Sequence, residues 1–204
     1  MLGALTLPGT ATPARAETVR SLDNLSESGK ADLELARKTL QDIRTMTATF
    51  RQTDLSGGVA TGRLWVHRPG RLRFEYDPPV PILLVATGSF LIHYDKAMKT
   101  TSYVDQDATP AWFLLSPTVR LDDTVRIVGI ESGPEQVRVT AIKTAEPDAG
   151  SVTMEFSREP ARLTGWTITD ATGSVSRIEL QDIALGAPLN DRIFDFRRPE
   201  HDSQ

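Results

Sequence analysis

Gly62-Arg-Leu-Trp-Val-His-Arg-Pro-Gly-Arg-Leu-Arg-Phe-Glu-Tyr76 is the stretch that decides the fold. Two short alternating runs flank Arg68-Pro69-Gly70. Leu64 and Val66 share a face of the first run, and Leu72, Phe74 and Tyr76 share a face of the second. A period of two marks a half-buried strand, and Pro-Gly supplies the turn that folds one run back on the other. Arg68 continues the Leu64–Val66 face if no bulge intervenes. A guanidinium on an apolar face needs a partner, because an unpaired buried charge is costly. The remaining cations, Arg63, His67, Arg71 and Arg73, could suggest phosphate contacts. Glu75, Asp77 and Asp95 lie close by, however, and the alternation reads as a solvated face.

The same period extends in both directions. Strand-like runs cover Thr47–Thr53, Ile82–Ala86, Phe90–Tyr94, Thr100–Val104, Thr124–Ile130, Gln136–Thr144, Ser151–Phe156, Leu163–Asp170 and Val175–Leu180. Turn pairs such as Gly57-Gly58, Thr87-Gly88, Gly133-Pro134 and Thr172-Gly173 separate them. About eleven short strands with tight turns predict an antiparallel meander that curls into a barrel or deep sheet. No βαβ alternation is present. Two segments break the period. From Ala31 to about Met46, Leu33, Ala36, Leu40 and Ile43 form one apolar stripe. Asp32, Glu34, Arg37, Lys38, Asp42 and Arg44 cover the rest, so this helix lies on something apolar. Thr109-Pro110-Ala111-Trp112-Phe113-Leu114-Leu115-Ser116 reads as a second, short helix with Pro in its first turn. The two helices would roof one side of a curved sheet.

With 204 residues, 39% apolar and 25% charged, the chain has the length and composition of one globular domain. Its net charge of −4 argues against a dedicated nucleic-acid binder. It has no cysteine, which excludes disulfides, thiolate nucleophiles and cysteine metal sites. No run approaches the roughly 20 apolar residues of a membrane-spanning helix. Residues 1–16 resemble a signal peptide missing its front end. Ala14-Arg15-Ala16 fits a small-x-small cleavage site, so the mature domain is expected to span 17–204 and to be exported. His67, His93 and His201 lack metal-ligand spacing. Asp122-Asp123 reads as the start of a strand rather than an acid/base pair, since neighbouring strand residues face opposite ways. No nucleophile, base and orienting group assemble. The expectation is a protein that is not an enzyme and needs no cofactor or metal.

Taken in order, the amphipathic helix, Gly62–Tyr76, Leu83-Leu-Val-Ala-Thr-Gly-Ser-Phe-Leu-Ile-His-Tyr94, Pro110–Ser116 and Phe194-Asp-Phe196-Arg-Arg-Pro199 resemble the LolA family of periplasmic outer-membrane lipoprotein carriers. The resemblance covers roughly Asp32 to Pro199. It implies a mainly β (α+β) fold, an unclosed antiparallel half-barrel with helices forming a lid over a hydrophobic cavity. It implies a periplasmic monomer that takes acylated lipoproteins from an inner-membrane ABC transporter and delivers them to an outer-membrane receptor. It also gives Arg68 a role. The family's arginine before proline bonds lid backbone and holds the empty cavity shut, and a rigid five-donor fork suits that task. Leu64, Val66, Leu72, Phe74, Tyr76, Phe90, Ile92, Trp112, Phe113 and Leu115 are the expected acyl-chain wall. Aromatics are only 6% of the chain, which predicts a more aliphatic wall than in aromatic-rich relatives.

A cavity has a clear physical purpose. Exposing acyl chain to water costs roughly 0.8 kcal/mol per CH₂, so a chain of about fifteen carbons costs on the order of 12 kcal/mol. Three other readings keep the same half-barrel. A carrier or sensor of another amphiphile, such as a glycolipid, remains open. A lipoprotein-sensing regulator would carry a further domain, and only five residues follow Pro199. A lipid-anchored receptor would need a cysteine.

Overall fold

The computed structural model describes residues 15–19, 21–118 and 124–196. Twelve strands form one sheet: β1 (Arg15–Thr18), β2 (Thr45–Asp54), β3 (Val59–His67), β4 (Arg71–Tyr76), β5 (Ile82–Thr87), β6 (Phe90–Asp95), β7 (Thr100–Asp105), β8 (Val125–Ser132), β9 (Gln136–Lys143), β10 (Gly150–Arg158), β11 (Ala161–Asp170) and β12 (Val175–Leu185). Their order is β1-β8-β9-β10-β11-β12-β2-β3-β4-β5-β6-β7, and every neighbouring pair is antiparallel. The ends β1 and β7 do not pair with each other, so the sheet is an unclosed half-barrel. The eleven expected strands all form. The twelfth, β1, comes from Arg15–Thr18 and pairs with β8 from Arg15↔Ser132 to Thr18↔Gly129. The rest of the expected signal segment, Asp122-Asp123, His201 and residues 197–199 of the closing motif lie outside the described residues.

Curvature has local causes. Register shifts interrupt β8–β9 at Ile127/Gly129, β10–β11 at Glu155/Phe156 and β12–β2 at Gln181/Ala184. An extra residue in one strand bends it and increases its twist. Gly62 marks another close approach. A Cβ there would sit 2.2 Å from the Glu75 carbonyl oxygen and 2.7 Å from the Phe50 ring. Only a residue without a side chain lets Phe50 lie across β3.

One face of the sheet forms the core. Met46, Phe50, Leu64, Val66, Leu72, Phe74, Val139, Met154, Phe156 and Trp166 are buried together on it. Helix α1 spans Glu27–Asp42, four residues earlier at both ends than the stripe suggested. Ser26 fixes its start, accepting from the Gly29 amide at 3.1 Å and bonding Glu17 at 2.8 Å, as an N-cap does. Leu40, Ala36 and Ile43 are buried as expected. Helix α2 is only Trp112–Leu115 and is buried throughout. Its N-cap is Ala111, so Pro110 precedes the helix rather than opening it. The Thr109 hydroxyl donates to the Gln106 carbonyl instead of capping α2.

Candidate functional site

The β3–β4 hairpin places Arg68 one residue past the end of β3, on the Leu64–Val66 side. Its backbone N–H donates to the Arg44 carbonyl at 2.8 Å, extending the β2–β3 ladder. The side chain therefore runs inward, where the alternation placed it. Nη1 donates to the carbonyl of Leu40 in the last turn of α1. Nη2 donates to the carbonyl of Ser116, the C-cap of α2, at 2.6 Å. One guanidinium thus joins the C-terminal ends of both helices, whose last carbonyls lack partners within the helix and carry partial negative charge. Burial pushes the Arg68 guanidinium below its ordinary pKa. Two residues on, the Gly70 amide donates to the Leu115 carbonyl at 2.9 Å, a second link from the hairpin to α2. At the other end of the segment, Lys143 on β9 donates to the carbonyl of Asp107.

Between these tethers α2 fills the concavity. Phe113, Leu114 and Leu115 are at most 1% exposed. Aromatic rings continue inward from it: Trp112 meets Phe113 at 5.9 Å, Phe113 meets Trp166 at 5.5 Å, and Trp166 meets Phe74 at 6.0 Å. Phe74 meets Phe50 at 4.8 Å, and Phe50 meets Tyr76 at 5.0 Å. The phenol of Tyr76 donates to the Gln52 side-chain oxygen at 2.5 Å. The inner wall is therefore substantially aromatic. Aromatics are few in the chain, yet these six sit on one surface, four of the five contacts near edge-on, the geometry that ring quadrupoles favour, and the Phe50–Phe74 pair tilted. The lid helix α2 occupies the space beneath the curved sheet. An opening beside Trp112, whose lining includes Pro110, Ala141, Val152 and Ile168, has a volume of about 90 Å³. Ligand pockets run to roughly 300–1,000 Å³.

The structure brings together Leu64, Val66, Leu72, Phe74, Trp112, Phe113 and Leu115, with Tyr76 packed against them. It separates Phe90 and Ile92 from that group. In β6 the pairs Leu91↔Ala86 and His93↔Leu84 share the inner face, while Ile92↔Val85 and Tyr94↔Leu83 share the outer one. Ile92 is buried on the outer face and Phe90 is exposed there. Leu84, Ala86 and Leu91 are the apolar residues that these strands give to the inner surface. Sequence reasoning also missed Phe50, Trp166 and Leu114, although the alternation of β2 and β11 carries the signal for the first two.

Two charged groups behave differently from expectation. Asp32 is 3% exposed rather than solvated. Its carboxylate accepts from Arg158 Nη1 at 2.7 Å and Nη2 at 3.0 Å, and from the Ser132 hydroxyl at 2.5 Å. This bidentate pair bolts the N-terminal half of α1 to β8 and β10. The cations of β3 and β4 are not simply solvated either. His67 and Arg71 both reach Asp191, at 3.1 and 2.5 Å, and Arg73 donates to the Ile193 carbonyl at 3.2 Å. They hold the 3-10 turn Asp191–Phe194 against the outer face.

Among the described residues no helix is long and apolar enough to cross a membrane. Comparison with known proteins follows the same lines. The chain is 27% identical over 187 residues to an outer-membrane lipoprotein carrier protein of Halorhodospira halophila, covering 87% of this chain and 86% of that protein. It is 28% identical over 171 residues to the carrier of Methylococcus capsulatus, covering 78% and 80%. It is 26% identical over 170 residues to the carrier of Chromohalobacter salexigens, covering 79% and 80%. Residues 41–197 match the family described as outer membrane lipoprotein carrier protein LolA. That match takes in eleven of the twelve strands, the Arg68 hairpin and α2, and the chain belongs to the LolA family.

Proposed function

We propose that this protein carries the acyl chains of lipoproteins through the periplasm by exchanging them for its own α2. As a member of a carrier family it is a binding protein rather than an enzyme. The supporting observation is that α2 occupies the surface an acyl chain would need, while few polar bonds hold it there. Burying four apolar side chains the size of Trp112–Leu115 is worth roughly 1.5–3 kcal/mol each, on the order of 6–12 kcal/mol together. One acyl chain of about fifteen carbons is worth on the order of 12 kcal/mol. The two nearly balance. Cargo can displace the lid, and the lid can displace cargo, so neither the empty nor the loaded protein exposes a bare apolar trough. Arg68 then acts as the latch of the empty state. Its two bonds, at roughly 1.5–3 kcal/mol each before the cost of burying the guanidinium, set how readily α2 leaves.

On this reading the Leu64, Val66, Leu72, Phe74 and Tyr76 surface, once Trp112, Phe113 and Leu115 of α2 have left it, receives the chains. Loading occurs at an inner-membrane ABC transporter and discharge at an outer-membrane receptor. The test is to incubate inner-membrane spheroplasts with the purified mature protein and assay labelled lipoprotein in the soluble fraction. A one-to-one soluble complex is expected. Absence of release, or recovery of glycolipid instead, overturns lipoprotein carriage.

A further inference from the structure

The outer face of the sheet carries a second surface, independent of the acyl site. The residues excluded from the inner wall form a stripe there. Phe90, Ile92 and Tyr94 on β6 extend about 13 Å at the usual rise of a strand, with Tyr103 of β7 paired beside Ile92. Phe90 is 45% and Tyr103 54% exposed, and their rings meet edge-on at 6.4 Å. The segment that follows the Asp191–Phe194 turn covers only part of this stripe, with Phe196 against Tyr94 at 5.5 Å. Two clefts flank that segment and share Asp195 and Phe196. One, of about 400 Å³, has Ile92 in its lining; the other, of about 660 Å³, has Leu83 and Tyr94 at its floor, all three largely buried.

The second cleft is rimmed by Arg73, Lys96, Lys99 and Arg192. Glu75, bonding Arg73 at 2.9 Å and Lys96 at 3.2 Å, and Asp195, which also lines the cleft, neutralise part of this. Among the described residues the side chains of Lys99 and Arg192 have no ion-pair partner. The chain as a whole is acidic, at −4, so a local excess of cations at one end of this aromatic stripe is not a consequence of composition. An apolar patch rimmed by charge is the signature of a docking surface, and cations flanking it select an occupant of opposite sign.

We infer that this outer cleft docks an extended acidic segment of a partner protein, with an aromatic side chain on the Phe90–Tyr103 end and carboxylates at Lys96, Lys99 and Arg192. Six or seven extended residues span the distance, about 20 Å from Phe90 to Lys96 at the usual rise. The surface lies on the side of the sheet opposite the lid, so a partner can hold the protein there while α2 moves.

The test pans a random dodecapeptide phage library on the immobilised full chain, then measures selected peptides by fluorescence anisotropy. Enriched peptides should carry at least two Asp or Glu together with an aromatic residue. Lys99→Glu with Arg192→Glu should weaken them at least about tenfold, as should raising salt from 50 to 500 mM. Tyr103→Ser alone should weaken them without charge reversal, which keeps the test informative if the double variant folds poorly. No enrichment, enrichment of peptides without acidic residues, or affinities unmoved by these substitutions overturns the inference. Cosedimentation with phosphatidylglycerol vesicles in the absence of acidic-peptide enrichment also overturns it, by assigning the surface to a lipid. The variants leave Arg68 and α2 untouched, so lipoprotein release from spheroplasts should persist in them whatever the peptides do.

Discussion

Arg68 uses two of its three nitrogens and leaves the third, Nε, buried without a partner. That is a poor arrangement for stability and is compatible with the latch proposed above, a contact that would break on loading. The Gly70 amide, bonded to the Leu115 carbonyl, reports whether the lid is closed. In Arg68→Leu its hydrogen-exchange rate should rise at least about tenfold, the equivalent of one lost bond of about 1.4 kcal/mol. Arg68→Lys should fall between the two, because a single ammonium lacks the planar fork that reaches two carbonyls. An exchange rate unchanged in the leucine variant would remove the latch. Residue-scale legibility depended on which question was asked. Alternation identified the side of β3 on which Arg68 emerges, since Leu64 and Val66 precede it on the same strand. It could not assign Phe90 and Ile92, because β6 offers an apolar residue to each face, and only pairing with Leu83 and Val85 shows which face is outside.

At the scale of elements, the two lid helices are held unequally. Helix α1 has Arg68 at one end and the buried Asp32–Arg158 pair nearer the other, whereas α2 has four residues and backbone contacts. Removing one partner of a buried ion pair costs about 3–5 kcal/mol, because the other charge is left uncompensated. Asp32→Ala should therefore lower the urea-unfolding free energy by about that amount. A loss below about 1 kcal/mol would mean that Arg158 finds water or another acceptor. Gly62→Ala should cost about 1–3 kcal/mol through overpacking against Phe50 and the Glu75 carbonyl, measured in the same titration. The eleven strands were legible because each is long enough to show its period. β1 was not, being four residues with little burial inside a small-residue segment. Asp32 was misread for another reason: its partner lies 126 positions away, beyond anything a helical stripe can register.

For the molecule as a whole, several exposed or partly buried carboxylates have folded-state pKa values below the ordinary ones. Glu17 is lowered by hydrogen bonds from the Ser26 side chain and backbone. Glu75 is raised by burial, but its bonds to Arg73 and Lys96 outweigh that. Asp191 is lowered chiefly by its bond to Arg71. Groups whose folded pKa is depressed bind fewer protons than in the unfolded chain. Their contribution is complete above the ordinary values of 4.5 for Glu and 3.8 for Asp and is lost as pH falls below them. The melting temperature should be flat between about pH 8 and 5 and drop below about 4.5. Because these pairs are solvated, 1 M salt should flatten the drop. A melting temperature that declines above pH 6 would implicate other groups.

The seam between β2 and β12 has a consequence for how the chain reaches this shape. It joins Thr53 to Arg177 and Phe50 to Leu180, so the ribbon's centre is stitched from opposite ends of the polypeptide. Contacts this distant in sequence slow folding, because loop entropy must be lost before they form. Until the final strand arrives, β2 waits with one row of amides unmet, and a nascent molecule presents a sticky border to its neighbours. A chain of this topology should therefore fold late and all together, and deleting its last strand should yield aggregate rather than a smaller working half.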